Sequence, residues 1–383
     1  MLSSSFTRNF LFILFVLYFS QGVLFPLGSI IAKACLVLII VVSLWYFTKT
    51  LGIKNKVSPF YNAWTVLFLV NFLLFLFTGD MSNSHHISMF KGILVMSLSF
   101  YPFYFLSRMN KLKKEHLIKL FWMLLAVYIL QFYKNESAIQ INENSDNIVN
   151  NVSYLFVSLI PFIFLLNNKR LIGWAIMLLI MIFVIQGAKR GALITSVIGM
   201  ALFFYYKINN VEKSKRIKTF IFSALAFLTV SYYSYVKFIN NTFFTNRMVA
   251  LSEGNNGGRD DIYNMIFNSW VTSSNLFNFN FIFGFGFAGS QKLVGGSYAH
   301  NDWLELISNL GLIGLCLYLY LFYVVIRIIM NNDFGADKRI LFLTVTIIWF
   351  VISLGSMWYT NIGMFSQTIL LAYLIGSKDK NLL

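Results

Sequence analysis

Apolar runs of about 17–25 residues recur along this whole chain, from "RNFLFILFVLYFSQGVLFP" at the start to "TILLAYLIG" near the end. A helix needs roughly 20 such residues to cross the hydrocarbon core of a bilayer. With 58% hydrophobic residues, only 11% charged ones and 42 phenylalanines, no water-soluble fold could bury this much apolar surface. The alternating ten-residue pattern of a membrane β-barrel is absent from the sequence. The chain therefore reads as all-α, a polytopic membrane protein forming one integral unit over residues 1–383. Twelve helices are expected at roughly 9–25, 29–48, 62–78, 87–106, 116–133, 151–167, 171–186, 190–207, 217–237, 302–329, 339–357 and 360–376. The first run lacks a small-x-small cleavage site and reads as an uncleaved helix.

Basic residues fix the expected orientation, because cytoplasmic loops accumulate Lys and Arg. With twelve helices, twenty-one of the 30 basic residues fall on the side of the two termini, including "KTLGIKNK", "RMNKLKKEHLIK" and "KINNVEKSKRIK". Nine of the 14 acidic residues fall on the other side. Both termini are thus expected in the cytoplasm. The net charge of +16 is a topology signal and an attraction to anionic lipid, not a nucleic-acid surface.

On the opposite face two segments are long. Residues 134–151, "KNESAIQINENSDNIVNN", read as a solvated polar loop. Residues 238–301 form one long extracytoplasmic loop between the ninth and tenth helices, and loops of that length are usually functional or disordered. Within it Ile262, Met265, Ile266 and Trp270 recur at helical spacing, which predicts an amphipathic surface helix, capped by Asp260 or Asn256.

Charges on the face where they are disfavoured carry the chemistry. In "IQGAKRGALITS", Lys189 and Arg190 sit between two apolar runs, either as an anion site or as interfacial anchors. In "EGNNGGRDDIYN", Arg259 follows a glycine-rich approach and suits an anionic ligand, or else pairs with Asp260 or Asp261. Arg247 is a weaker member of this class. In "SYAHNDWLELISNLGLIG", Asn301 can cap a helix whose first turn holds Asp302 and Glu305. His300 precedes the cap and has no role in helix initiation. It is either an interfacial histidine in water or, with Glu305 one turn away from Asn301, a general base.

Several other chemistries find no support. His85 and His86 have no third ligand at suitable spacing for a metal. Cys35 and Cys316 are isolated within apolar runs. "FGFGFAGS" (283–290) follows no strand, so it reads as a tight turn with close backbone packing rather than a dinucleotide loop. No nucleotide or zinc motif occurs, and no cofactor is expected. Arginines on one outer face suit a diphosphate or other strong anion, a histidine there suits deprotonating a hydroxyl, and an amphiphilic partner suits the membrane boundary. A lipid-linked sugar transporter is a weaker reading, since it would need polar residues in several helix midplanes.

In their order, "RGAL" (190–193), the Gly-Arg-Asp step at 258–260, "FGFG" (283–286) and "HNDWLEL…GLIG" (300–314) resemble the O-antigen polymerase and O-antigen ligase superfamily. The resemblance covers roughly residues 170–330. It implies a metal-independent, inverting glycosyltransferase of the C type, which takes a polyprenyl-diphosphate-linked glycan as donor. It carries Arg190 and Arg259 onto binding of the diphosphate leaving group and His300 onto the base for the acceptor hydroxyl. Lys189, Arg247, Asn301 and Glu305 become substrate-binding candidates. A polymerase, using a lipid-linked repeat as acceptor in a bacterial inner membrane with its site on the periplasmic face, is preferred over a ligase acting on lipid A core. A chain-length regulator is a further candidate partner.

Overall fold

The structure is a computed structural model. It describes residues 4–53, 57–143, 149–166, 170–240, 245–246, 249–250, 252–253, 258–272, 279–331 and 334–380, with backbone alone for 138–143, 170 and 238. Every described element is helical, apart from one isolated bridge between Gln21 and Phe25. Eight helices are long and apolar enough to span a membrane: Ile30–Leu51, Pro59–Thr78, Ser84–Arg108, Lys114–Ser137, Arg190–Asn209, Lys213–Lys237, Asp302–Met330 and Ala336–Gly355. Ser4–Phe19, Ser153–Leu166 and Leu171–Gln186 are shorter apolar helices. This is a polytopic helical membrane protein.

Described helices overlap the twelve expected ranges, but only eight are long and apolar enough to span, and several depart from expectation in informative ways. The first ends at Phe19, and residues 20–28 turn back through Gly22 and Gly28, both at positive φ. The fourth run is interrupted at Ser99, shortly before Pro102, whose ring cannot sit inside a continuous helix without loss of a hydrogen bond. Residues 134–143, expected as solvated loop, continue the helix Lys114–Glu143. Phe365–Asp379 has only fifteen residues and is almost wholly buried against Phe100–Arg108. There Phe365 stacks on Phe15 and Phe19 with ring centroids 4.3 and 4.7 Å apart. By contrast Lys213–Lys237 is only 17% buried and exposes Ile217, Phe220, Ile221, Leu225 and Leu228, as a lipid-facing helix must.

The tenth expected helix is the one that differs most in kind. Asp302–Met330 is broken at Gly311, whose φ of 59° and ψ of −142° lie outside the helical region. The "FGFG" segment crosses it there: Phe285 N donates to Ser308 O at 2.7 Å and Gly289 N to Asn309 Oδ1 at 2.8 Å. The break frees the Ser308 carbonyl, and the crossing loop satisfies it.

Two continuous helices share one end. Arg190–Asn209 begins there and Ala336–Gly355 finishes there, so their other ends, at Asn209 and Ala336, lie on the opposite face.

Candidate functional site

The site is built around the start of Asp302–Met330. Asn301 is its N-cap: Oδ1 accepts from Trp303 N at 2.9 Å and Leu304 N at 3.2 Å. Its Nδ2 donates to Leu354 O at 2.8 Å, tying this helix start to the end of Ala336–Gly355. Asp302 is fully buried, accepting from Trp358 N at 2.9 Å and Tyr318 Oη at 3.0 Å. Trp303 Nε1 donates to Ser353 Oγ at 3.0 Å. Glu305 is also fully buried, and its two oxygens accept from Ser290 Oγ at 2.8 Å and Ala299 N at 3.1 Å. In "HNDWLE" four polar side chains thus hold backbone and neighbouring helices. His300 alone of these faces outward.

His300 has a φ of +50°, a left-handed conformation that costs a non-glycine residue about 1–2 kcal/mol. The cost is sustained because the residue is fixed on both sides, through Ala299 N and through the Asn301 cap. The His300 carbonyl also accepts from Tyr263 Oη at 3.4 Å. The imidazole opens into a pocket of about 240 Å³ lined by Ser88, Met89, Tyr298, Ser356, Met357, Thr360 and Asn361.

Two cations stand close to it. Arg259 begins the helix Arg259–Thr272, and its Nη1 donates to Gly355 O at 2.6 Å, one residue beyond the carbonyl held by Asn301. Partial withdrawal from water pushes the His300 pKa below its ordinary value, and Arg259 and then Lys189 push it the same way. The imidazole is therefore neutral at pH 7 and can accept a proton.

The turn that precedes Arg190 reaches the same cluster by a different route. Arg190 opens Arg190–Asn209 after this turn, in which Ala188 has a φ of +49°. A Cβ on Gly187 would overlap Ser153 Oγ, and one on Gly191 would overlap Tyr154 Oη. The glycines in "QGAKRG" thus let this turn sit directly on the start of Ser153–Ile163. Tyr154 in turn lies beside Ser356 and within the field of Arg259. Gly191→Ala should therefore force either the Arg190 turn or the Tyr154 side chain to move and lower activity by about tenfold at unchanged abundance, since small misplacements of binding groups are costly. Activity at the parental level would remove the importance of this contact.

The structure thus gathers His300, Arg259, Lys189 and the start of the Arg190 helix at one end of the bundle. Asn301 and Glu305 belong to the scaffold under His300 instead: their polar atoms are occupied by protein groups, which leaves them positioning roles. The carboxylate beside His300 in sequence is not a partner of its ring. Arg247 and Asn256 lie outside the described residues. Asp260 is the second residue of its helix, not its cap, and the helix begins after Gly258. On that helix Ile266 and Trp270 face inward, while Met265 is 48% exposed. Trp270 stacks on Phe281 and donates to its carbonyl at 3.0 Å.

Sequence reasoning missed one wall of the pocket. Residues 356–357 and 360–361 fall at the ends of two expected helices, yet Ala336–Gly355 stops earlier and residues 356–361 form a connection held by Asp302. Tyr298, fixed by its hydroxyl donating to His85 O at 3.0 Å, was also missed. His86 accepts from Asp80 N at 3.1 Å. Among the described residues no three His, Cys, Asp or Glu side chains assemble as a metal set.

No curated protein matches the chain. Residues 174–319, which include Lys189, Arg190, Arg259 and His300, match the family model described as O-antigen ligase.

Proposed function

We propose that the protein is a polysaccharide polymerase that moves a growing glycan from a polyprenyl diphosphate to a sugar hydroxyl of a lipid-linked repeat unit. The observation that carries the reading is His300, held outward in a strained backbone position, neutral, beside two cations and a pocket. In the reaction His300 takes the proton of the acceptor hydroxyl as its oxygen bonds to the anomeric carbon. The bond from that carbon to the diphosphate oxygen breaks on the opposite side, which inverts the configuration. The leaving diphosphate gains negative charge, and Arg259 and Arg190 stabilise it. A guanidinium carries five N–H donors, so the bond to Gly355 O can orient Arg259 without exhausting it.

This reading puts the site on the outer face of a bacterial inner membrane with both termini in the cytoplasm, as the distribution of basic residues suggests. Transfer of the finished chain to lipid A core is the second reading, favoured by the description of the matched family. A deletion strain separates the two by gel. Under the polymerase reading single repeat units remain on the lipid core; core without any repeat would establish the ligase. The purified protein should extend polyprenyl-diphosphate repeats in the presence of chelator, and strict dependence on a divalent metal would overturn the mechanism.

A further inference from the structure

On the face opposite His300 lies a second pocket, of about 300 Å³, whose lining includes Trp174, Tyr206, Lys207, Asn210, Thr219 and Asp337. Two of the spanning helices that end at the candidate active site reach it with their other ends. Lys207 lies seventeen residues after Arg190, about 26 Å along a helix. Asp337 begins the helix that finishes at Gly355. That separation approaches the thickness of a bilayer core, so the pocket sits at the level of the other leaflet's headgroups.

Its polar groups are of both signs. Lys207 is buried, with Nζ 5.3 Å from the Phe203 ring centre and 5.8 Å from that of Tyr206. Asp337 is exposed, and its Oδ1 accepts from Tyr206 Oη at 2.7 Å. A simple anion entering here would face the Asp337 carboxylate, and a simple cation would face Lys207. A ligand carrying a phosphate and an ammonium a few bonds apart suits both. The Asn210 amide adds a donor and an acceptor, and Trp174 supplies the aromatic group favoured at membrane interfaces. Thr219 stands on the helix that exposes Ile217, Phe220 and Ile221, a surface for acyl chains.

We propose that this pocket binds the headgroup of an ethanolamine phospholipid, with the phosphate at Lys207 and the ammonium at Asp337. The site is independent of the reaction at His300. The test uses the full-length protein, purified and stripped of lipid, then titrated by native mass spectrometry. The probes are phosphatidylethanolamine, phosphatidylglycerol and phosphatidylcholine of identical chains, and soluble glycerophosphoethanolamine. The ethanolamine lipid should bind about tenfold tighter than either other lipid, the scale of one charge-assisted hydrogen bond. Asp337→Asn, which keeps an acceptor for Tyr206, should bring the ethanolamine-to-glycerol preference close to one. Lys207→Met should weaken all three lipids, while His300→Asn should leave the preference intact. Equal or tighter binding of phosphatidylglycerol by the parent protein would overturn the proposal, as would an unchanged preference in both pocket variants. Soluble glycerophosphoethanolamine binding as tightly as the lipid would overturn the assignment of a lipid in favour of a free phosphoester.

Discussion

His300→Asn should abolish long-chain polysaccharide and lower the rate of glycan transfer by about 10²–10⁴-fold, the usual contribution of a general base. Asparagine is the informative replacement because it tolerates positive φ far better than most residues, and His300 holds a φ of +50°. The variant therefore removes the proton acceptor while leaving the loop seated, and its thermal stability should fall by less than about 1 kcal/mol. Retention of more than a tenth of the parental rate would exclude His300 as the base. The pH profile gives an independent check. Burial, Arg259 and Lys189 all disfavour the imidazolium, so the group titrates below its ordinary value. Activity should be flat above that pKa and fall as the pH drops through it, because protonation removes the base. Lys189→Gln deletes one of the two cations and should move the acid limb upward toward the ordinary histidine range. An acid limb that stayed in place would show that Lys189 does not act on His300.

What the sequence could and could not disclose follows from how local each cause is. The apolar runs and the Asn301 cap depend on residues within a few positions of one another, and the structure has eight helices fit to span and a cap at Asn301. His300 stood out for the same reason: once the cap was explained, it was the residue left over. The roles of Asp302 and Glu305 were out of reach because their partners are distant in sequence. Trp358 N is 56 residues from Asp302, and the Ser290 hydroxyl 15 from Glu305. Helix-dipole arguments accounted for both carboxylates adequately and so concealed their use as buried struts. Likewise the reach of Arg259 to Gly355 O, across 96 residues, follows from no pattern in "GGRDD". The early stop of Ala336–Gly355 was hidden by apolar residues on either side of it, since "SMWYTN" differs little in hydropathy from a helix end.

Gly284→Ala should cost about 3–5 kcal/mol of stability, as judged by thermal unfolding in detergent and by the fraction of monodisperse protein. Two separate causes combine. At a φ of +78° any L side chain is strained, and the new Cβ would lie 2.5 Å from the backbone of Asn309 and Leu310. Backbone cannot rotate aside as a flexible side chain can. Gly311→Ala should be comparably damaging, because its Cβ would lie 2.6 Å from Gly284 N and Phe281 O. Gly295→Ala separates the causes: its φ is +65° but nothing lies within 4 Å, so it should lose only the conformational part, about 1–2 kcal/mol. Equal losses at positions 284 and 295 would show that the crossing of "FGFG" over the Gly311 break contributes nothing beyond dihedral preference. The expected difference bears on the site, because the loop fixed at this crossing carries Ser290, which bonds Glu305, the residue that also holds Ala299 beside His300. Loosening the crossing should therefore reduce transfer more than the loss of folded protein accounts for, whereas Gly295→Ala should reduce the two in proportion.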